Sequence, residues 1–251
     1  MMDLLPGIVM GIETSCDETA VALLDGSRVL ANVISSQIDL HQQWGGVVPE
    51  AAARAHVEAM LPVIQQALDA AGISLREIAG IAVTNRPGLI GALSVGVTTA
   101  KALQYMLNIP MIGVHHLEGH LLSPYLNHES PSEFPTLALI ASGGHTELVL
   151  IDEIGAYRMV AETVDDAAGE AFDKSARLLG LGYPGGRAIQ EAAKNGNPKE
   201  FSFPRSLRND PAKFSFSGLK TAVLREVERD PSIHGPDAAA SVQQAICDSL
   251  V

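Results

Sequence analysis

Three histidines and a glutamate stand within six residues of this chain, in the segment "HHLEGH" that follows a short apolar run. His116 and His120 are four positions apart, so on a helix their side chains would point within ~40° of each other. Both imidazoles could then bind one metal ion, whereas His115 and Glu118 would point to other faces. The spacing by itself fits such a metal site and an ordinary pair of surface histidines equally well.

A metal-dependent protease is the first alternative that this pair raises. The zinc-protease signature H-E-x-x-H places its general-base glutamate directly after the first histidine. Here Leu117 occupies that position and Glu118 follows it. The segment therefore lacks the base at the position that protease chemistry requires.

The composition indicates a globular protein of a reducing compartment. The chain has 251 residues, of which 47% are hydrophobic, enough for one large domain or two lobes. Cys16 and Cys247 form neither a disulfide framework nor a C-x-x-C motif. The first residues lack the basic start of a signal peptide, and no stretch reaches the ~18 uninterrupted apolar residues of a membrane span. We therefore expect a cytoplasmic protein without a membrane partner.

Charge is distributed unevenly along the chain. The net charge is −12, yet residues 174–229 hold eleven of the 17 basic residues and five of the 29 acidic ones. This region carries a net charge of +6 and the remainder carries −18. Such asymmetry is typical of a surface that docks an anionic partner, and it also occurs on ordinary solvated surfaces.

Two segments of the chain resemble each other. "SCDETAVALLD" begins at Ser15 and "SGGHTELVLID" at Ser142, and the two share a serine, a threonine and an aspartate at matched positions. Each is predicted to form a strand, a polar turn and a second strand. Because strand and helix patterns then alternate, we predict an α/β protein with mixed sheets, whose two lobes face a cleft. We place the lobes at residues 1–130 and 131–251.

Helix signals are clear in three places. A helix is expected from Pro49 to Gly72, with a kink or break at Pro62. A second covers residues 169–180 and carries Asp173. The third follows Gly235-Pro236 with Asp237 as its N-cap, and it reaches the last residue without the Gly, basic turn or Pro that usually ends a helix.

The polar turns of the two matched segments are candidate nucleotide-binding elements. Ser142, Gly143 and Gly144 would expose backbone N–H groups, and glycine lets an anion approach the chain closely. The first turn, "ETSCDET", offers hydroxyls and carboxylates instead. Ordinary hairpin turns use the same residue types, so each turn alone fits both interpretations.

Seven segments, taken in order, resemble the TsaD (Gcp/Kae-like) family over nearly the whole chain. They are "GIETSCDETAVAL", "GGVVPEAAARAHV", "PGLIGALSVG", "VHHLEGHLL", "ASGGHTELV", "DDAAGEAFDKSARLLGLGYPGG" and "FSFSGLKT". The resemblance implies two duplicated RNase H-like lobes with an interlobe cleft, as in the actin, Hsp70 and sugar-kinase (ASKHA) superfamily. Arg86 departs from the family, which usually has Gly before "PGL".

The resemblance implies a transferase that acts on tRNA. Family members move the threonylcarbamoyl group from threonylcarbamoyl-AMP to N6 of the adenosine next to the anticodon, in tRNAs that read codons beginning with A. They work with a TsaB-like paralogue and a TsaE-like ATPase. We expect the tRNA to meet the basic region 174–229.

The same resemblance implies roles for individual residues. His116 and His120 would bind one divalent ion, iron or zinc. The residues implied to contact the adenylate are Ile140, Ala141, Ser142, Gly143, Gly144, Asp173 and Gly186. The proton acceptor for the attacking amine stays open among three candidates: Asp17, Glu18 and His145.

Two further alternatives for the function stay open. A kinase or ATPase of the same superfamily leaves the histidine pair unexplained, and the intact "HHLEGH" and "SGGHT" argue against a non-catalytic TsaB-like scaffold.

The resemblance also implies that family members continue beyond the region matched here, with a metal-binding aspartate and a glycine-rich nucleotide loop. We therefore expect the 251-residue chain alone to bind metal weakly, to transfer no threonylcarbamoyl group, and to self-associate or bind the TsaB-like partner.

Overall fold

Two compact units make up the chain, Met1–Ser132 and Glu133–Val251. The computed structural model describes residues 7–127, 133–207, 210, 212–230 and 235–251. The lobe boundary predicted at residues 130–131 lies outside the described residues. Each unit has its own sheet and its own hydrophobic core.

The first unit is built on a five-stranded mixed sheet with the strand order β3-β2-β1-β4-β5. Its strands are β1 (Ile8–Glu13), β2 (Glu18–Asp25), β3 (Arg28–Ser36), β4 (Ile78–Arg86) and β5 (Met111–His115). The first three strands are antiparallel neighbours, whereas β4 runs parallel to β1 and β5 runs parallel to β4. Parallel strands end at the same edge of a sheet, where α/β proteins usually bind their ligands. Glu13 and His115, the last residues of β1 and β5, therefore come to one edge.

Helices follow these strands. They are α1 (Ile38–Gln42), α2 (Pro49–Ala71), α3 (Ile90–Leu107) and α4 (His116–Leu122), with 3₁₀ turns at Leu75–Glu77 and Ser123–Tyr125. The predicted start of α2 at Pro49 and its end at Gly72, which adopts a left-handed φ of 68°, are confirmed. Pro62 does not break α2, because it lies on the exposed face, where the carbonyl that loses its N–H partner is accessible to water.

The second unit has a four-stranded mixed sheet with the order β6-β7-β8-β9. Its strands are β6 (Thr136–Ala141), β7 (Thr146–Glu153), β8 (Ala156–Thr163) and β9 (Lys213–Phe214), and its helices are α5 (Ala168–Leu178), α6 (Gly185–Ala193), α7 (Ser217–Arg229) and α8 (Pro236–Leu250). The helices pack together around fully buried side chains that include Ile189, Phe216 and Ile246. The predicted α/β class with mixed sheets is confirmed.

The prediction that Asp237 is the N-cap of the last helix is wrong. Gly235 is the N-cap and Pro236 is the first residue of α8, because the fixed φ of proline suits the first helical position. Asp237 lies in the first turn, where its carboxylate accepts a hydrogen bond of 2.7 Å from the backbone N–H of Asn197. The side chain therefore joins α8 to the loop that follows α6.

Within the described ranges, every helix is too short or too polar to span a bilayer.

Candidate functional site

His116 and His120 lie together on α4. Their Nε2 atoms are 3.2 Å apart, so the two rings direct the same nitrogen toward one point. The rings are nearly perpendicular, with centroids separated by 4.6 Å. The structure therefore brings the two side chains together as their spacing predicted, and their role as metal ligands stays a prediction.

Glu13 holds the opposite side of the His116 ring. Its Oε2 lies 3.0 Å from His116 Nδ1, Ser15 Oγ lies 3.2 Å from the same nitrogen, and the backbone N–H of Ser15 donates to Glu13 Oε1. Burial raises the pKa of Glu13, but hydrogen bonds from His116, Ser15 and Thr84 outweigh burial and lower the pKa to about 2. The sequence analysis placed Glu13 in the first polar turn but did not pair it with His116, because the contact joins residues 103 positions apart.

His115 serves the helix rather than the pair. It is the N-cap of α4, where its Nδ1 accepts a hydrogen bond of 3.3 Å from the backbone N–H of Leu117. This contact satisfies one of the N–H groups that the first turn of a helix leaves without a partner.

The histidine pair fits zinc or iron in the type and direction of its donor atoms. Imidazole nitrogens are common ligands of both metals, and a carboxylate on the second ring nitrogen is the usual support of a metal-binding histidine. The pair supplies only two ligands. Across the part of the chain that the structure describes, no group of three or more His, Cys, Asp or Glu side chains is arranged to hold an ion.

The turn between β1 and β2 is held against α3. Thr14 Oγ1 donates a hydrogen bond of 2.9 Å to the carbonyl of Ala92, and the N–H of Leu89 donates one of 2.8 Å to the carbonyl of Ser15. A Cβ on Gly88 would lie 2.5 Å from that same carbonyl oxygen, so the approach requires glycine. The backbone next to His116 is therefore rigidly positioned.

Two buried histidines lie behind this turn. His56 Nδ1 is 2.8 Å from Thr19 Oγ1, and its Nε2 is 3.1 Å from the carbonyl oxygen of Cys16. His41 Nε2 lies 3.0 Å from Gln37 Oε1. Burial lowers the pKa of His56, which favours the neutral ring. The sequence analysis also missed this network, because no local pattern links its members.

The three candidate proton acceptors lie on the two polar turns. Asp17 is half-buried, and Glu18 is exposed at the first residue of β2. Both belong to the first unit, whereas His145 belongs to the second and is half-buried. The choice among them stays open.

The turn between β6 and β7 leaves open space at its two glycines, and its role as a phosphate-binding element stays a prediction. Ser142 and His145 close it through three hydrogen bonds. The Ser142 N–H (2.8 Å) and Ser142 Oγ–H (3.4 Å) donate to the His145 carbonyl, and the His145 N–H donates to Ser142 Oγ (3.1 Å). A Cβ on Gly143 or Gly144 would meet nothing within 4 Å. Ile140 and Ala141, the other candidates of this segment, are the last two residues of β6.

The start of α5 packs directly against this turn. The N–H of Gly169 donates a hydrogen bond of 3.0 Å to the Ser142 carbonyl, and the N–H of Ala168 donates one of 2.8 Å to Thr146 Oγ1. A Cβ on Gly169 would lie 2.5 Å from the Ser142 oxygen. The N-terminus of this 11-residue helix thus adds a partial positive charge beside the turn, which favours anions.

Asp173 and Gly186, the remaining candidates, lie at α5 and at the start of α6. Asp173 Oδ1 accepts a hydrogen bond of 2.7 Å from the N–H of Gly185, so at least one carboxylate oxygen fixes the start of α6. A Cβ on Gly185 would lie 2.4 Å from Asp173 Cα, whereas a Cβ on Gly186 would meet nothing within 4 Å. Gly185 is therefore required for packing, and Gly186 leaves open space.

Much of the basic region 174–229 is locally neutralised. Among the residues of this region that the structure describes, the basic ones that form ion pairs are Lys174, Lys194, Arg205, Lys213, Lys220 and Arg229. Several acidic partners lie outside the region, including Asp166, which contacts both Lys174 and Lys220. Arg177, Arg187 and Arg225 are exposed.

Replacing Gly143 or Gly144 with valine should weaken AMP binding about tenfold or more, because the branched side chain blocks close approach of a phosphate to the backbone. The fold should persist, since both positions face open space. Calorimetric titration with AMP measures the affinity. Gly46→Val is the control, since a Cβ on Gly46 would also meet nothing within 4 Å, and unchanged affinity in a folded Gly143 or Gly144 variant would contradict the assignment.

Comparison with known proteins gives a consistent match. The family model described as "TsaD: tRNA N6-adenosine threonylcarbamoyltransferase" matches residues 28–251. The chain is 55% identical to the tRNA N6-adenosine threonylcarbamoyltransferase of Trichlorobacter lovleyi, over 97% of this chain and 72% of the relative. It is also 55% identical to the Pelobacter propionicus protein of the same name, over 97% of this chain and 73% of the relative.

A solved structure gives a much weaker match. YeaZ from Pseudomonas aeruginosa is 20% identical, with a TM-score of 0.42, over 61% of this chain and 64% of that one. This likeness is too low to bear on function.

Proposed function

This chain belongs to the TsaD family of tRNA N6-adenosine threonylcarbamoyltransferases, and we propose that it performs the reaction in that name. The enzyme is a transferase that modifies tRNA by attaching a threonylcarbamoyl group to N6 of an adenosine. The observation that carries this proposal is the identity of 55% to named relatives over 97% of the chain.

We assign the donor substrate to the turn between β6 and β7. Threonylcarbamoyl-AMP is a mixed anhydride, so transfer forms a bond from N6 to the carbamoyl carbon, breaks the bond from that carbon to the phosphate oxygen, and releases AMP. The backbone of Gly143 and Gly144 has open space at both Cα positions and lies beside the N-terminus of α5, so its N–H groups suit the phosphate. Hydrogen bonds there would stabilise the charge that AMP gains as it leaves.

The second demand of the reaction is removal of a proton from the attacking amine. N6 of adenosine is a weak nucleophile, so a base near it would speed the attack. That assignment stays open among three candidates, Asp17, Glu18 and His145.

Two other residues are proposed to contact the nucleotide. Gly186, with open space at its Cα, is proposed to lie against it, and Asp173 is proposed to accept a hydrogen bond from a substrate hydroxyl in addition to its bond to Gly185.

His116 and His120 are proposed to hold one divalent ion, zinc or iron. When bound, such an ion acts as a Lewis acid that polarises and orients substrate oxygen atoms. The convergence of the two Nε2 atoms supports this role. An ATPase or kinase of related fold would not need two converging histidines, so the pair favours the transferase.

The tRNA is proposed to contact the second unit through its exposed arginines. Arg177, Arg187 and Arg225 lie on α5, α6 and α7, where their guanidinium groups can pair with phosphates. Six other basic residues of region 174–229 already have carboxylate partners, so these arginines are the better candidates. A TsaB-like paralogue and a TsaE-like ATPase are the protein partners that the family resemblance implies.

A duplicated origin of the two units is part of this proposal. β1–β3 and β6–β8 are both antiparallel meanders. Thr19 and Thr146 occupy matched positions, are fully buried and bond to a helical residue, His56 and Ala168 respectively. This repeated contact between a buried threonine and a helix supports two related RNase H-like lobes of the actin, Hsp70 and sugar-kinase superfamily.

The test is transfer to a defined tRNA. The product of the complete gene, of whatever length, would be incubated with threonylcarbamoyl-AMP, its TsaB-like and TsaE-like partners and a tRNA transcript that reads codons beginning with A. Mass spectrometry of the digested nucleosides should detect threonylcarbamoyl-adenosine. A tRNA with guanosine in place of that adenosine is the control, and absence of product above a reaction without the protein would refute the proposal.

A further inference from the structure

One ring nitrogen of His116 faces two oxygen atoms. Glu13 Oε2 lies 3.0 Å and Ser15 Oγ 3.2 Å from His116 Nδ1. The other ring nitrogen, Nε2, lies 3.2 Å from His120 Nε2. One side of the ring therefore faces carboxylate and hydroxyl oxygens, and the other side faces a second imidazole.

The carboxylate determines which nitrogen carries the proton. An ionised carboxylate has only acceptor sites, so a hydrogen bond between Glu13 and His116 requires an N–H at Nδ1. A neutral imidazole has one N–H, so Nε2 is then the nitrogen with the lone pair. Ser15 Oγ can accept a share of the same N–H while it donates its own proton to Glu13, and this arrangement leaves the result unchanged.

We propose that Glu13 is a positioning residue that keeps His116 in the Nδ1–H tautomer, so that the Nε2 lone pair is directed at the metal. This inference rests on the metal-binding role proposed for His116 and His120. Glu13 lies at the end of β1 and His116 at the start of α4, 103 positions away. The strand therefore orients a ligand on a distant helix.

The geometry also predicts the effect of a nearly isosteric change. In Glu13→Gln one side-chain position must face the backbone N–H of Ser15, which donates to Oε1 in the structure. The amide oxygen should take that position, because an NH₂ group there would place two donors, the NH₂ and the Ser15 N–H, against each other. The NH₂ group then faces His116 Nδ1, which must become an acceptor, and the proton moves to Nε2.

Nitrogen-15 NMR of the metal-free protein reads the tautomer directly. Spectra at about pH 8.5, roughly two units above the reference histidine pKa, separate protonated ring nitrogens from those with a lone pair. The wild type should show His116 with N–H at Nδ1, and Glu13→Gln should show it at Nε2. A predominantly Nε2–H ring in the wild type, or the same tautomer in both proteins, would overturn the proposal.

Metal affinity supplies the second readout. Titration with Zn²⁺ should give about 10- to 100-fold weaker binding for Glu13→Gln than for the wild type, the usual effect of losing such support. Glu50→Gln, which removes an exposed carboxylate from the first turn of α2, should change neither readout. Circular dichroism would verify that both variants are folded.

The two readouts separate two kinds of failure. A wild-type Nδ1–H tautomer that shifts in Glu13→Gln, together with no Zn²⁺ binding by the complete gene product, would refute the proposed metal site while establishing the Glu13 contact. Unchanged Zn²⁺ affinity in a folded Glu13→Gln variant would refute the positioning role even if wild-type metal binding is strong.

Discussion

Replacing His116 or His120 with alanine is expected to remove the bound metal ion and to lower threonylcarbamoyl transfer by about 10³-fold, corresponding to the several kcal/mol that a Lewis-acid metal supplies. The two Nε2 atoms lie 3.2 Å apart and each would supply one ligand atom, so loss of either ring would leave the ion with one imidazole of the pair. Metal content by mass spectrometry and transfer by nucleoside analysis, both on the complete gene product, would measure the two losses.

The neighbouring histidine supplies a matched control. His115 caps α4, because its Nδ1 accepts a hydrogen bond from the backbone N–H of Leu117. His115→Asn keeps an N-cap acceptor, so metal content and transfer should stay within about twofold of the wild type, a difference of ~0.4 kcal/mol. Equal metal content in the wild type and in a His116→Ala, His120→Ala double variant would rule out the pair as the metal site.

Gly185→Ala should destabilise the second unit by about 3 kcal/mol, at the upper end of the usual cost of overpacking. Its new Cβ would lie 2.4 Å from Asp173 Cα and 2.6 Å from the carbonyl oxygen of Phe172. These are backbone atoms, which cannot move aside without separating α5 from α6. Urea unfolding followed by circular dichroism would show the lower midpoint.

The adjacent glycine makes the comparison specific. Gly186→Ala adds the same methyl group where nothing lies within 4 Å, so the free energy of unfolding should change by less than about 1 kcal/mol, the helix preference for alanine over glycine included. A Gly185→Ala variant as stable as Gly186→Ala would show that α5 and α6 do not pack as described.

Sequence reasoning predicted the local elements well because each depends on nearby residues. Pro49 and Gly72 bound α2 through their own backbone preferences, and the four-residue spacing of His116 and His120 brings them together on any helix. The two polar turns were located for the same reason. Seven ordered segments were enough to identify the family, since their order does not depend on any three-dimensional contact.

Other features depended on residues far apart in the chain. The contact between Glu13 and His116 spans 103 positions, and that between Thr19 and His56 spans 37. No local period encodes them, because the first arises from the order of strands in the sheet and the second from the packing of α2 against β2. Asp237 illustrates the same limit, since its carboxylate binds Asn197, 40 positions earlier, rather than capping its own helix.

The sequence by itself therefore determined the class of fold, the family and the residue types available for chemistry. Only the tertiary structure decided which neighbour each of them has. Gly185 and Gly186 are identical in sequence terms, yet one packs against α5 and the other faces open space. The physical reason is that periodicity and turn preference act over a few residues. Parallel pairing of β1, β4 and β5 instead brings the ends of strands that are far apart in the sequence to one edge of the sheet.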